Sequence, residues 1–364
     1  MEIVYCVPQV YVPGGRERVV VNKINYLSRR GHDVTLITTD QGGLPSFYDI
    51  DSSVKVVDLN INYSLNKSRP FLKKAIYYFV NMVKHFFRLR RLLKNKKVDI
   101  CISTFAQEMA YLPLIDDGSR KILELHTQLA LCEGGGKSIK SIKKQIEKFD
   151  RFVVLTEKDR LAWACVNSLT IHNSLPNYKC RCSSVMGKKA LAVGRLSYVK
   201  GFDRLVDIWE QIVMVCPDWI LEIVGDGELK TSLIEYVKKK NLKNSIIFTP
   251  ATSDIYSKYQ EASVLLMTSR LEAFGMVLCE AQSCGLPCIA YDVPCGPAEI
   301  IKQNENGFLI ENDNIKQFVD KFVLLASDQT LRTRMAQSAK ANSTRFLEED
   351  IMHEWELLFS ELIA

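Results

Sequence analysis

Short apolar runs alternate with amphipathic stretches along the whole chain. Ile3–Val7 is apolar, Gly14 and Gly15 turn the chain, and Arg18–Leu27 repeats its apolar positions at helical spacing. Val34–Thr38, Val54–Val57, Val98–Ser103, Lys121–Leu125 and Phe152–Leu155 read as further strands. A break falls at 173–187, around Pro176-Asn177 and Met186-Gly187-Lys188-Lys189. A second series follows it: Ala190–Val193, Leu221–Val224, Ile246–Phe248, Val264–Met267 and Pro287–Ala290 as strands. Phe202–Met214, Leu229–Lys239 and Met276–Ser283 read as helices between them, and Leu347–Ile363 as a last helix. Apolar strands interleaved with helices predict parallel sheets covered on both faces. The pattern therefore predicts an α/β chain of two Rossmann-like domains with a cleft between them. The first spans 1–178 and the second 179–346, with a helix at 347–364 that packs back on the first domain.

Length agrees, since 364 residues suit two ordinary domains. The net charge of +6 is too mild for a dedicated nucleic-acid module, so no nucleic-acid partner is expected. No run reaches the roughly 18 apolar residues of a membrane span. The first residues read as a strand rather than a signal peptide, and eleven cysteines then read as reduced thiols in a cytoplasm. Cys180-Arg181-Cys182 lacks zinc-site spacing, so no metal site is expected.

Candidate chemistry gathers where strands end. Glycines in Pro13-Gly14-Gly15 would let a helix N-terminus face a ligand, but a plain tight turn explains them equally well. With no G-x-G-x-x-G and no suitably placed acid, NAD is disfavoured. The second series offers more. Gly194-Arg195 ends one strand and Lys200-Gly201 opens the next helix, so a guanidinium and an ammonium could hold a diphosphate, or could simply be two solvated surface cations. Gly225-Asp226-Gly227-Glu228 ends the following strand, where a base could lie on backbone, or where an ordinary Asp-Gly turn suffices. Glu272 and Glu280 bracket Phe274-Gly275-Met276, in a loop and on the helix after it. Carboxylates so placed face the crevice where open α/β sheets bind ligands.

These pieces occur in one order: Gly194-Arg195-Leu196 with Lys200-Gly201, the Gly225–Glu228 turn, the paired glutamates, and Gly285-Leu286-Pro287. Together with Gly14-Gly15, the late 292–301 segment and Asn306-Gly307-Phe308, the ensemble resembles the retaining glycosyltransferases of family 4, with the GT-B fold. The resemblance covers nearly the whole chain. It implies transfer of a sugar from a nucleoside diphosphate, most simply a UDP-sugar, to a glycan or lipid-linked saccharide. Capsule, O-antigen or exopolysaccharide synthesis is the implied setting. Arg195 and Lys200 would hold the diphosphate, Glu272 the sugar hydroxyls and Glu280 the ribose. Backbone N–H groups of Phe274, Gly275 and Met276 would meet sugar or phosphate. His126 falls where many members place a histidine near the reacting sugar, although a strand-end histidine has structural uses as well. Thr127 departs from the carboxylate or amide common at its position, and Arg16 from a small residue. No cofactor and no metal are implied. A nucleotide-sugar 2-epimerase of the same fold, needing no acceptor, is one competing reading; a non-catalytic membrane-associated scaffold is the other.

One segment bears on the acceptor side. From Lys67 to Lys97 there is no acid, and Ile76, Phe79, Val80, Val83, Phe86, Phe87 and Leu89 recur at helical spacing among cations. Lys137–Lys148 is a second basic stretch. The first reads either as a helix docking on an anionic membrane surface at the inner face or as a core helix with a solvated basic back. A polyprenyl-linked acceptor would suit the former.

Overall fold

The computed structural model describes residues 1–63, 71–104, 107–126, 139–176 and 181–364. Thr127, Cys180 and the first residues of both basic stretches lie outside them. The chain divides into two compact units, Met1–Ser174 with Glu349–Ala364, and Leu175–Glu348.

The first unit is built on one parallel sheet. Its strands are β1 (Glu2–Val7), β2 (Asp33–Thr38), β3 (Lys55–Asp58), β4 (Ile100–Ser103), β5 (Arg120–Glu124), β6 (Arg151–Val154) and β7 (Ser168–Thr170). They lie in the order β3-β2-β1-β4-β5-β6-β7. Alternate residues of β1 enter opposite cores. Ile3, Tyr5 and Val7 pack with α1 (Gly15–Arg29), while Val4 and Cys6 pack with Leu89 and Leu93 of α2 (Phe71–Asn95). Strands buried on both faces read as continuous apolar runs for this reason. α3 (Ile139–Ile146) turns Ile142 and Ile146 into the same core as α2, and α4 (Glu157–Trp163) adds Trp163. The C-terminal helix belongs to this unit. Ile351, Met352, Trp355, Leu358, Phe359 and Leu362, at helical spacing, join the core beside α1.

The second unit has the parallel order β10-β9-β8-β11-β12-β13. Its strands are β8 (Lys189–Val193), β9 (Ile220–Val224), β10 (Ile246–Thr249), β11 (Val264–Met267), β12 (Cys288–Asp292) and β13 (Gly307–Glu311). Among its helices are α5 (Phe202–Val215), α6 (Lys230–Lys239), α7 (Ile255–Glu261) and α8 (Met276–Ser283). Then come α9 (Pro297–Ile300), α10 (Ile315–Ser327), α11 (Gln329–Ser343) and finally α12 (Glu348–Ile363), whose body returns to the first unit. Trp209 of α5 and Trp219 meet Phe322 of α10 edge-on, at 5.4 and 5.1 Å. In both units the strand order reverses direction, between β1 and β4 and between β8 and β11. In such sheets that reversal leaves a crevice outside the carboxyl ends of the strands.

Two strands are not among those the sequence pattern predicts, although β13 carries the apolar Phe308-Leu309-Ile310. β7 is three residues long and partly exposed, and β13 begins on a glycine inside what reads as a turn-rich segment.

Candidate active site

In the second unit every loop of interest leaves the carboxyl end of a strand. Residues 194–201 follow β8, 225–229 follow β9, 268–275 follow β11 and 293–296 follow β12. The loops are held by backbone packed directly on backbone. A Cβ on Gly225 would lie 2.0 Å from the Gly194 carbonyl oxygen, and one on Gly227 2.4 Å from that of Leu196. Hydrogen bonds close the same seam, Leu196 N–H to Asp226 O at 2.9 Å and Gly194 N–H to Val224 O at 3.0 Å. Gly225 and Gly227 therefore serve the neighbouring loop first, whatever they also offer a ligand. Gly201 takes φ 65° at the start of α5, and a Cβ there would meet the Thr268 oxygen at 2.1 Å. That contact presses the loop after β8 onto the loop after β11.

The pairing of those two loops brings Lys200 and Glu272 together. Lys200 Nζ lies 2.5 Å from Glu272 Oε2, and Ser269 Oγ donates to the same oxygen at 3.3 Å. Both side chains are partly exposed, 28% and 12%, so ligand can reach them. Arg270 stitches the pair in place. Its N–H donates to Val199 O at 2.7 Å, and its guanidinium forks onto Asp203 at 2.8 and 2.6 Å while stacking on Tyr198 at 4.0 Å. The hydrogen bonds from Arg270 hold the Asp203 carboxyl below its ordinary range. From the other side the loop after β12 buttresses Glu272. Glu272 bridges to Cys295, and a Cβ on Gly296 would lie 2.3 Å from the Phe274 oxygen. Cys295 is itself left-handed, at φ 74°, a strained posture for a side-chain-bearing residue.

Other predicted residues stand apart from this pair. Arg195 is 73% exposed and meets Glu228 at 3.4 Å, at the rim. An exposed pair of this kind adds little stability, which leaves the guanidinium available to an anion. Gly275, at φ 100°, caps α8. The first N–H groups of a helix have no partner inside it and carry its positive pole. Phe274 is buried against Phe346, ring centroids 5.6 Å apart, and Met276 opens the helix. Glu280 is nearly buried, and Tyr259 of α7 donates to it at 2.8 Å.

In the first unit Gly14 caps α1, and Tyr48 Oη approaches its carbonyl at 3.5 Å. A Cβ on Gly15 would meet nothing within 4 Å, so no protein neighbour demands glycine there. His126, just after β5, places Nε2 3.0 Å from Glu124 Oε1. Glu124 is fully buried and also takes bonds from Lys23 of α1 and from Tyr5 of β1. Burial pushes the Glu124 carboxyl up, but the charges of Lys23 and His126 and the bond Lys23 donates outweigh it. The group is held well below the carboxylate range. Burial lowers the Lys23 ammonium, and Glu124 opposes that shift. Burial and the Glu124 charge both raise the Tyr5 phenol. Lys23 also sits over the Trp355 ring of α12, 4.3 Å from its centroid. Among the described residues no three His, Cys, Asp or Glu side chains come together as a metal set.

Sequence reasoning missed Ser269, Arg270, Asp203, Tyr259 and the Lys23–Glu124–Tyr5 group. Arg270 stands two residues before Glu272 and could have been suspected. Ser269 lies three residues before Glu272, while the others pair across tens of residues with no local signal.

Comparisons with known proteins agree with this fold. The family model described as Glycosyltransferase Family 4 matches residues 13–164, and that described as Glycosyl transferases group 1 matches 183–342. The amylovoran biosynthesis glycosyltransferase AmsD of Erwinia amylovora is 30% identical over 94% of this chain and 95% of its own. An Escherichia coli UDP-Gal:alpha-D-GlcNAc-diphosphoundecaprenol alpha-1,3-galactosyltransferase is 26% identical over 87% and 86%. A crystal structure of Staphylococcus aureus TarM, in complex with fondaparinux, alpha-GlcNAc-glycerol and UDP, superposes with a TM-score of 0.83. It covers 99% of this chain and all of that one, at 17% identity, a likeness of fold. The chain thus belongs to the family 4 glycosyltransferases, with the GT-B fold, of the kind that builds cell-envelope polysaccharides.

Proposed function

We propose that this glycosyltransferase moves a sugar from a UDP-sugar to a lipid-linked or polymeric saccharide, with retention of anomeric configuration. The observation that carries the reading is the Lys200–Glu272 pair, 2.5 Å apart at the crevice edge of the second unit. A nucleotide sugar needs there what the pair supplies: a cation for the diphosphate and a carboxylate acceptor for sugar hydroxyls. UDP in the TarM complex and the UDP-galactose named for the E. coli relative favour UDP; the latter's diphosphoundecaprenol acceptor favours a lipid-linked one.

In this mechanism the bond from the anomeric carbon to the β-phosphate oxygen breaks, and positive charge spreads over the ring. Negative charge grows on the leaving phosphate. Lys200, Arg195 and the N–H groups of Phe274, Gly275 and Met276 at the head of α8 stabilise it, fixed before the reaction begins. The acceptor oxygen attacks from the face the phosphate leaves, and its proton passes to that phosphate. Glu272 binds sugar hydroxyls and keeps Lys200 aimed, and Glu280 takes the ribose. Within the first unit, the α1 head at Gly14-Gly15 and His126 are the residues that the family resemblance assigns to substrate. Two cations and a helix pole carry the charge, so the reaction runs without a metal.

The test is a panel of UDP- and GDP-sugars with GlcNAc-diphospho-lipid acceptors, the product's anomeric configuration read by NMR. The reading expects a UDP-sugar to react and an α-linked donor to give an α-linked product, with and without EDTA. An inverted linkage would overturn retention. Activity lost to EDTA and restored by Mg²⁺ would overturn metal independence.

A further inference from the structure

Helix α2 has a second face that the fold does not use. Its inner face carries Asn81, His85, Leu89 and Leu93, all buried. On the outer face Ile76, Phe79, Val80, Val83 and Phe87 are 61, 60, 54, 38 and 58% exposed. At 100° per residue these five fall within about 60° of a single line along the helix. Lys73, Arg90, Arg91 and Lys94 are exposed and lie within about the same arc. No Asp or Glu occurs from Leu59 to Val98. Arg88 is not part of this face. It donates to the Leu59 and Asn60 carbonyls and so ties the helix to the chain after β3.

Scattered exposed apolar residues are ordinary, but a contiguous stripe of five marks a surface with an occupant. Of the two readings of this segment, the core helix with a solvated basic back does not describe it. The cations and the large apolar groups share the outer face. We propose that the outer face of α2 docks the protein on an anionic phospholipid bilayer. The helix, about 37 Å long at 1.5 Å per residue, would lie flat. Phe79, Val83 and Phe87 would enter the acyl boundary, and Lys73, Arg90, Arg91 and Lys94 would sit at the headgroups. The absence of acids on this stretch suits a negatively charged partner. Among the described residues no helix is long and apolar enough to cross a membrane, so the surface lies on the bilayer. This inference goes beyond sugar transfer and stands or falls independently of it.

Co-sedimentation of the full chain with phosphatidylcholine vesicles, with and without 30% phosphatidylglycerol, tests it. Wild type is expected to partition onto the anionic vesicles at least tenfold more than onto the neutral ones. Replacing Lys73, Arg90, Arg91 and Lys94 by Gln should cut that partition at least tenfold, an effect that salt mimics. A Phe79→Ser, Val83→Ser, Phe87→Ser variant should cut it as much even at low salt. All these side chains are exposed, so circular dichroism should be unchanged. Wild type left in the supernatant, or variants that sediment like wild type, would overturn the proposal. Light scattering that shows a wild-type dimer broken by the serine variant would also overturn it, by making the face a contact between copies.

Discussion

Lys200 and Glu272 were legible because each stands in a short glycine-containing motif after a strand end. Their contact was not, since it depends on two loops meeting 72 residues apart. That contact has a measurable consequence. If each group positions the other, Lys200→Ala and Glu272→Ala will not add, and the double variant will be little worse than either single one. Independent losses that multiply in kcat/KM would contradict a shared role. Glu124 shows the opposite case, a residue that reads as an ordinary strand-end acid yet anchors Lys23, Tyr5 and His126. Removing one partner of a buried ion pair leaves the other uncompensated. Glu124→Gln should therefore cost about 3–5 kcal/mol in urea unfolding. Its pH dependence has a definite sign. A carboxyl depressed in the folded state contributes stability above its unfolded value, near 4.5, and loses that contribution as pH falls below it. The gap between wild type and Glu124→Gln should narrow below that pH. A gap that widens there would show that Glu124 is not held ionised.

Elements announced themselves where burial is two-sided. β1, β8 and β11 read as unbroken apolar runs because both faces meet helices, whereas β7 is a short, half-exposed edge with no run to read. Helix α2 was ambiguous for a reason of its own. Periodicity reports that apolar residues share a face, not whether protein covers that face. Glycines divide in the same manner. Gly225 and Gly227 read either as ligand-facing or as an ordinary Asp-Gly turn, and their missing Cβ atoms make room for the loop after β8 whatever they also offer a ligand. Gly225→Ala should cost about 1–3 kcal/mol, as forced overpacking does, and weaken donor binding through the displaced loop. Gly15→Ala meets open space and should leave thermal unfolding unchanged. If α1 approaches a ligand at that point, its transfer rate will fall all the same. A Gly15→Ala protein that loses stability would contradict this division.

At the scale of the molecule, the α/β class and the doubled architecture followed from alternation alone, and the family from motifs kept in order. The return of the last helix to the first unit rests on Trp355 and its neighbours, which fill the core beside α1. Sugar identity was not legible, because it depends on a few hydrogen bonds to ring hydroxyls that no motif spells out. The central claim is that Lys200 and Glu272 hold the donor. Its most direct measurement is kcat/KM for a reactive nucleotide sugar, in transfer or in donor hydrolysis, on wild type and on Lys200→Ala and Glu272→Ala. Each variant should lose at least about a hundredfold, near 2.7 kcal/mol of transition-state stabilisation, while its thermal unfolding stays close to wild type. Folded variants that turn over at a near-normal rate would contradict the account.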